Sequence, residues 1–138
     1  MSESAEAFYL RLNNHKRFMT GALSELYQNE TLVDCTLSAE GKHLRAHRTV
    51  LAACSPYFKD IFTECQSSSQ LPVVIIKDMP FADLKAIVDY IYCGEVTIPR
   101  RQLQSVLDSG ATLQVSYERV GKSHNLINTE TLRYSRIQ

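Results

Sequence analysis

Cys54-Ser55-Pro56 places a thiol beside a helix start, where the helix dipole would stabilise a thiolate nucleophile. Its flank Val50-Leu51-Ala52-Ala53 is apolar, which predicts a buried and inert thiol instead. The other cysteines, Cys35, Cys65 and Cys93, are widely spaced and form no CxxC pair, so free thiols in a reducing compartment are expected. A zinc ion would need close Cys or His pairs, and His43 with His47 has no second pair to complete a tetrahedron. No glycine-rich phosphate loop, GxSxG elbow or HExxH is present. These residues therefore predict no enzyme, no cofactor and no metal. Asp34 and Arg48 each lie beside an apolar block, and an acid and a base carried into a covered setting must pair. That pair reads either as a plain salt bridge or as a charged pocket at a subunit boundary. His47 stands between strand residue Ala46 and the Val50 block, where one ring nitrogen can bond the main chain and cap the junction.

The chain that must position these groups has 138 residues, enough for one domain, with 15 basic against 15 acidic side chains. Balanced charge supplies no field for a phosphate backbone, which argues against direct nucleic-acid binding. Apolar runs such as Val73-Val74-Ile75-Ile76 are far shorter than a membrane span, and Met1-Ser2-Glu3-Ser4-Ala5-Glu6 lacks a signal-peptide pattern. The expectation is a soluble intracellular protein.

Phe8, Leu10 and Leu12 alternate with Tyr9 and Arg11, a short strand without a local partner. Asn13 or Asn14 can cap a helix over residues 15–27, with Phe18, Ala22, Leu23, Leu26 and Tyr27 on one face. Alternation from Val33 to Ala39, the turn Glu40-Gly41-Lys42 and the return through Ala46 predict a hairpin. Val50 to Cys54 is too apolar for a surface helix, and Ser55-Pro56 caps and opens the next one through Phe62. Pro72 to Ile76 reads as a strand covered on both faces. Asp78 to Phe81 hold a start signal for a helix that ends near Gly94, followed by a strand Val96-Thr97-Ile98 and a short helix through Leu103, Val106 and Leu107, whose pattern Gly110 interrupts and Ala111 to Val115 can resume. From Ser116 no apolar period survives, which predicts a flexible tail over 116–138 behind a domain of residues 1–115.

The block His47-Arg48-Thr49-Val50-Leu51-Ala52-Ala53-Cys54-Ser55-Pro56-Tyr57-Phe58 resembles the signature of the BTB/POZ domain. Val33-Asp34-Cys35-Thr36-Leu37 before it and Tyr90-Ile91-Tyr92-Cys93-Gly94-Glu95-Val96 after it extend the likeness to about residues 7–115. Phe8-Tyr9-Leu10-Arg11-Leu12-Asn13-Asn14-His15 is similar to the insect tramtrack-type subgroup, with Leu12 where that subgroup has Trp. After Val115 the chain departs from the family pattern, and neither a zinc finger nor a helix-turn-helix follows in this sequence.

The resemblance implies an α+β fold, a helix cluster flanked by short strands, and a dimer that exchanges its N-terminal strands. It further implies assembly of dimers into larger oligomers, and a place in a nuclear transcription or chromatin regulator whose DNA is bound by another module. The partner is then the chain itself, with other BTB proteins or corepressors admitted. The interface expected on this basis is Phe8, Leu10 and Leu12 pairing with Val96 and Ile98 of another subunit, and Phe18, Leu23 and Leu26 packing across the two-fold axis. Asp34 and Arg48 would form the charged pocket near that boundary. A substrate adaptor for a cullin-3 ubiquitin ligase is the rival. It calls for a hydrophobic-x-Glu motif after the Phe58-Ile61-Phe62 helix, where this chain has Gln66-Ser67-Ser68.

Overall fold

The computed structural model describes residues 5–67, 69–122 and 129–133, with side chains through Tyr117. Helix α1 (His15–Gln28) is followed by strands β1 (Cys35–Ala39) and β2 (Lys42–Ala46) and helices α2 (Arg48–Cys54) and α3 (Pro56–Glu64). Strand β3 (Val73–Ile75), helix α4 (Phe81–Cys93), strand β4 (Glu95–Pro99) and helix α5 (Arg100–Thr112) complete the helical body. One sheet has the order β2-β1-β3, with β1 antiparallel to β2 and parallel to β3.

The predicted hairpin closes through a two-residue turn in which Glu40 (φ 52°) and Gly41 (φ 74°) both take left-handed backbone. That is the twist a tight antiparallel pair requires, and a glycine supplies it at the second position without strain. The inward residues Cys35, Leu37, Ala39, Leu44 and Ala46 are buried. They join Leu51, Phe58, Leu84, Val88 and Leu113 in one core. Ser55 caps α3 as expected, its Oγ accepting from the Phe58 N–H at 3.2 Å, and its hydroxyl also donates to the Leu113 carbonyl at 2.6 Å. That second bond ties the start of α3 to the end of α5. Gly94, at φ 82°, closes α4 in the left-handed conformation.

Several expectations need correction. Strand β3 is covered on one face only. Val74 and Ile76 are buried, whereas Val73 and Ile75 are exposed, because their side chains point to the outer face of the sheet, over which nothing lies among the described residues. A continuous apolar run does not distinguish an edge strand from a central one. Asn14 occupies the cap position of α1 but has φ 59° and makes no side-chain cap. Helix α4 begins at Phe81, within the expected start signal Asp78 to Phe81, but its cap is not local: Pro80 stands at the cap position and makes no side-chain bond. Instead Glu40, in the hairpin turn, accepts from the Phe81 N–H at 2.6 Å. Helix α2 is only partly covered, with Leu51 buried and Ala53 exposed. Helix α5 runs through Gly110 because that residue is buried beneath the Tyr117 ring, 3.8 Å from where a Cβ would stand. Packing there compensates for the low helix propensity of glycine.

Residues beyond 115 contribute β5 (Glu118–Lys122) and β6 (Thr129–Arg133), and a second sheet has the order β4-β6-β5. A ladder satisfies main-chain groups without calling for an apolar face, so the missing apolar period did not preclude pairing.

Candidate interaction surface

Three features of the surface carry the residues singled out in the sequence. The first is the N-terminal segment. Phe8, Leu10 and Leu12 are 83%, 90% and 60% exposed, and residues 5–12 join no sheet of their own chain. Such a run of large apolar side chains in water is costly, at roughly 1.5–3 kcal/mol each relative to full burial. On α1, Phe18 and Met19 are exposed as well.

The second feature is an apolar groove of about 410 Å³ between α1, α2 and α4. Thr20 and Leu23 form one wall, Val50, Ala53 and Cys54 the second, and Ile91 and Tyr92 the floor. Burial raises the Cys54 thiol above its ordinary range, in keeping with the inert thiol expected from its flanks. Leu23 and Leu26 are half-buried, turned toward the body of the domain. The structure thus brings Leu23 to the groove, whereas Phe18 is exposed and is not part of its lining. Val96 is half-buried and Ile98 only 1% exposed, so the Ile98 side chain packs in the core of its own chain. Strand β4 also already carries β6 along one edge, from Glu95 opposite Arg133 to Pro99 opposite Thr129.

The third feature is the charged pair. Asp34 Oδ2 accepts from Arg48 Nε at 3.1 Å, and Asp34 Oδ1 accepts from the Arg48 backbone N–H at 2.7 Å. Asp34 therefore caps α2 from the foot of β1. The residue at the cap position, His47, makes no side-chain cap. The two side chains are 33% and 28% exposed, so water screens much of their attraction within one chain. Alanine at Asp34 is expected to cost about 1–2 kcal/mol, the range of a lost helix cap. Alanine at Arg48 should cost at most about 1 kcal/mol, since the capped N–H belongs to the backbone and survives. Urea unfolding of the two variants checks this order, and equal losses would mean that side-chain attraction, not the cap, dominates.

Beneath the pair lies a network that sequence reasoning caught only in part. His47 Nε2 lies 2.8 Å from the Thr31 carbonyl, and Nδ1 lies 2.6 Å from the Tyr92 hydroxyl. A carbonyl only accepts, so Nε2 donates to it, and in the neutral imidazole Nδ1 then accepts from the Tyr92 hydroxyl. The same hydroxyl accepts from the His47 backbone N–H at 2.9 Å. Tyr92 stacks on Tyr27 with ring centroids 4.3 Å apart, and the Tyr27 hydroxyl donates to Asp89 at 3.0 Å. Burial, and for Tyr27 the neighbouring Asp89 carboxylate, pushes both phenols up, Tyr92 to about 12. The Cys35 thiol is pushed up to about 12, by burial first and by Asp34 next. All three stay neutral near pH 7.

Asp83 was not singled out from the sequence. It is 1% exposed, and its carboxyl oxygens accept from Gln102 Nε2 at 3.1 Å, from the Ser105 hydroxyl, and from the Ser109 hydroxyl at 3.0 Å. An aspartate in the first turn of a helix ordinarily reads as a solvent-facing partner of the dipole. The spacing Gln102, Ser105, Ser109 on one face of α5 was the available signal. Among the described residues, no group of His, Cys, Asp and Glu is assembled to hold a metal, and no helix is long and apolar enough to cross a membrane.

The family model of the BTB/POZ domain matches residues 23–125. In Drosophila melanogaster, the Longitudinals lacking protein, isoforms A/B/D/L, is 46% identical over 110 residues, covering 80% of this chain and 14% of that protein. The alpha isoform of the tramtrack protein of the same organism is 38% identical over 115 residues, covering 83% of this chain and 14% of its own length. The solved BTB domain of zebrafish PATZ1 superposes with a TM-score of 0.69 at 18% identity, covering 79% of this chain and 88% of that one. The chain thus spans about a seventh of the curated relatives, and the solved domain establishes the likeness of fold.

Proposed function

The chain belongs to the BTB/POZ family, and from that premise we propose that it is a non-enzymatic module through which a nuclear transcription or chromatin regulator associates with copies of itself. The observation that carries this reading is the amount of apolar surface left bare on one chain, the exposed side chains of Phe8, Leu10, Leu12 and Phe18 together with the groove between α1, α2 and α4. One monomer leaves this surface in water, and a second copy is the partner always present at equal concentration. Helix α1 and the groove form the two-fold contact, with Asp34 and Arg48 near its boundary. Residues 8–12 then add as a strand to an open sheet edge of another copy, building assemblies above the dimer. Both β3 and β4 lie at sheet edges. Zero net charge supports a module that leaves nucleic acid to a different part of the regulator. Other BTB proteins or corepressors would use the same surface.

Light scattering across a dilution series tests the proposal. The parent chain is expected at the mass of two chains or a multiple of it. Glu in place of Ala53, an exposed residue of the groove wall, puts a charge into the apolar contact without touching the core. It should shift the mass toward one chain at concentrations where the parent is assembled. A parent that runs as a single chain throughout would remove the reading, and an unchanged mass for Ala53→Glu would take the groove out of the interface.

A further inference from the structure

Strand β2 has an open edge that runs along a second hollow. The Thr36 N–H donates to the Pro72 carbonyl and the Ile76 N–H donates to the Ser38 carbonyl, so the even-numbered residues of β1 turn their main chain toward β3 and the odd-numbered ones toward β2. His43 and Arg45 stand opposite Ser38 and Thr36. Their own N–H and C=O groups therefore point away from β1, to the edge where no strand pairs with β2 among the described residues. A cavity of about 340 Å³ lies at that edge, between the end of α1 and the start of α4. His43, Leu44 and Arg45 all line it, as consecutive residues do only where a strand presents its edge and not one face. Tyr27, Leu44 and Phe81 supply its apolar lining. Around them stand His43, Arg45 and Lys85, and Lys42, whose Nζ is 6.0 Å from the centre of the Phe81 ring. Of the acids nearby, Asp89 is engaged by Lys85 at 2.6 Å and by the Tyr27 hydroxyl at 3.0 Å, and Glu40 by the Phe81 N–H, which leaves Glu30 on the α1 wall.

We infer that this edge receives an extended segment of a partner protein in which acidic side chains alternate with apolar ones. The main chain of such a segment bonds to the open N–H and C=O groups of His43 and Arg45. Its acidic side chains then stand beside those of His43 and Arg45 as cross-strand neighbours, about 5 Å apart at the Cβ atoms. Its intervening side chains point the other way, into the cavity against Leu44, Tyr27 and Phe81. Charges on an edge strand ordinarily keep other strands away. Here basic side chains border an apolar hollow, so they admit an acidic strand and repel a basic one. The whole chain has no net charge, so this local excess does not follow from composition. Residues 8–12 of the chain itself carry Arg11 and no acid, and so do not match the occupant. The cavity shares no lining residue with the groove between α1, α2 and α4, so the partner does not compete with the proposed self-association for that groove.

The test uses a short fluorescein-labelled peptide in which glutamate alternates with valine, beside the same peptide with lysine for glutamate. Fluorescence anisotropy with the 138-residue chain is expected to show saturable binding of the glutamate peptide, weakened by salt, and none of the lysine peptide. Arg45→Glu, at an exposed position of β2, should weaken that binding about tenfold or more. Hydrogen exchange followed by NMR locates the peptide on the parent chain. The His43 and Arg45 amides should slow about tenfold or more at saturation, whereas the Leu44 amide, already in the ladder with β1, should change little. Exchange needs no substitution, so it decides the matter even if the Arg45 variant misfolds. Failure of the glutamate peptide to bind, or equal binding of the two peptides, overturns the inference. So does a folded Arg45→Glu variant that binds as the parent does. Binding that leaves both amides unprotected puts the acidic segment elsewhere on the surface, and the inference fails. If the two amides are protected before peptide is added and lose that protection on dilution, a second copy holds the edge and the inference again fails.

Discussion

Replacing Asp83 by alanine is expected to remove about 3–5 kcal/mol of stability, a large share of the roughly 5–15 kcal/mol that holds a domain of this size together. The carboxyl group is buried at the start of α4 and gathers Gln102, Ser105 and Ser109 from three successive turns of α5. Alanine leaves a small void and three donors without an acceptor. Each donor that stays away from water costs about 1–3 kcal/mol, and partial access of Gln102 and Ser105 to solvent limits the sum. Asparagine at the same position keeps the volume and one acceptor oxygen, so Asp83→Asn should lose visibly less. Ser109→Ala removes one donor together with its own need for a partner and should cost about 1 kcal/mol. Urea denaturation orders the three. An Asp83→Ala midpoint equal to that of the parent would mean that α5 is held by its apolar face alone.

Phenylalanine in place of Tyr92 should have the second largest effect, a loss of about 2–4 kcal/mol for the removal of one oxygen. That oxygen serves His47 twice, accepting from the backbone N–H and donating to Nδ1. Its loss strands a buried donor and a buried acceptor, while the ring and its stacking on Tyr27 remain. The damage falls at the junction of β2 and α2, next to the Asp34 cap and the floor of the groove. A double-mutant cycle with His47→Ala separates the bond from the ring, because the hydroxyl still meets the His47 backbone N–H when the imidazole is gone. A coupling energy of about 1–3 kcal/mol is expected. Strict additivity of the two substitutions would show that Nδ1 and the hydroxyl do not depend on each other.

Wherever local pattern and local chemistry coincide, sequence alone determined the outcome. The hairpin of Cys35 to Ala46 follows from alternation plus a Glu-Gly turn, the Ser55-Pro56 helix start from a cap that acts within three residues, and the end of α4 from a glycine able to take positive φ. The motif blocks pointed to the fold for the same reason, since each is a short run whose residues pack beside one another. Tertiary structure alone decided what depends on neighbours distant in the chain. Val73 to Ile76 is as apolar as any central strand, and only the folded chain shows that its outer face is left bare. The caps of α2 and α4 come from Asp34 and Glu40, 14 and 41 residues away from the N–H groups they satisfy. Asp83 could be seen as a core residue only once α5 lay across α4. A main-chain donor accepts any oxygen that the fold brings within reach, so a missing local cap leaves the helix start legible but its partner open. Burial is a property of which faces meet, and a one-dimensional pattern states a face without stating what covers it.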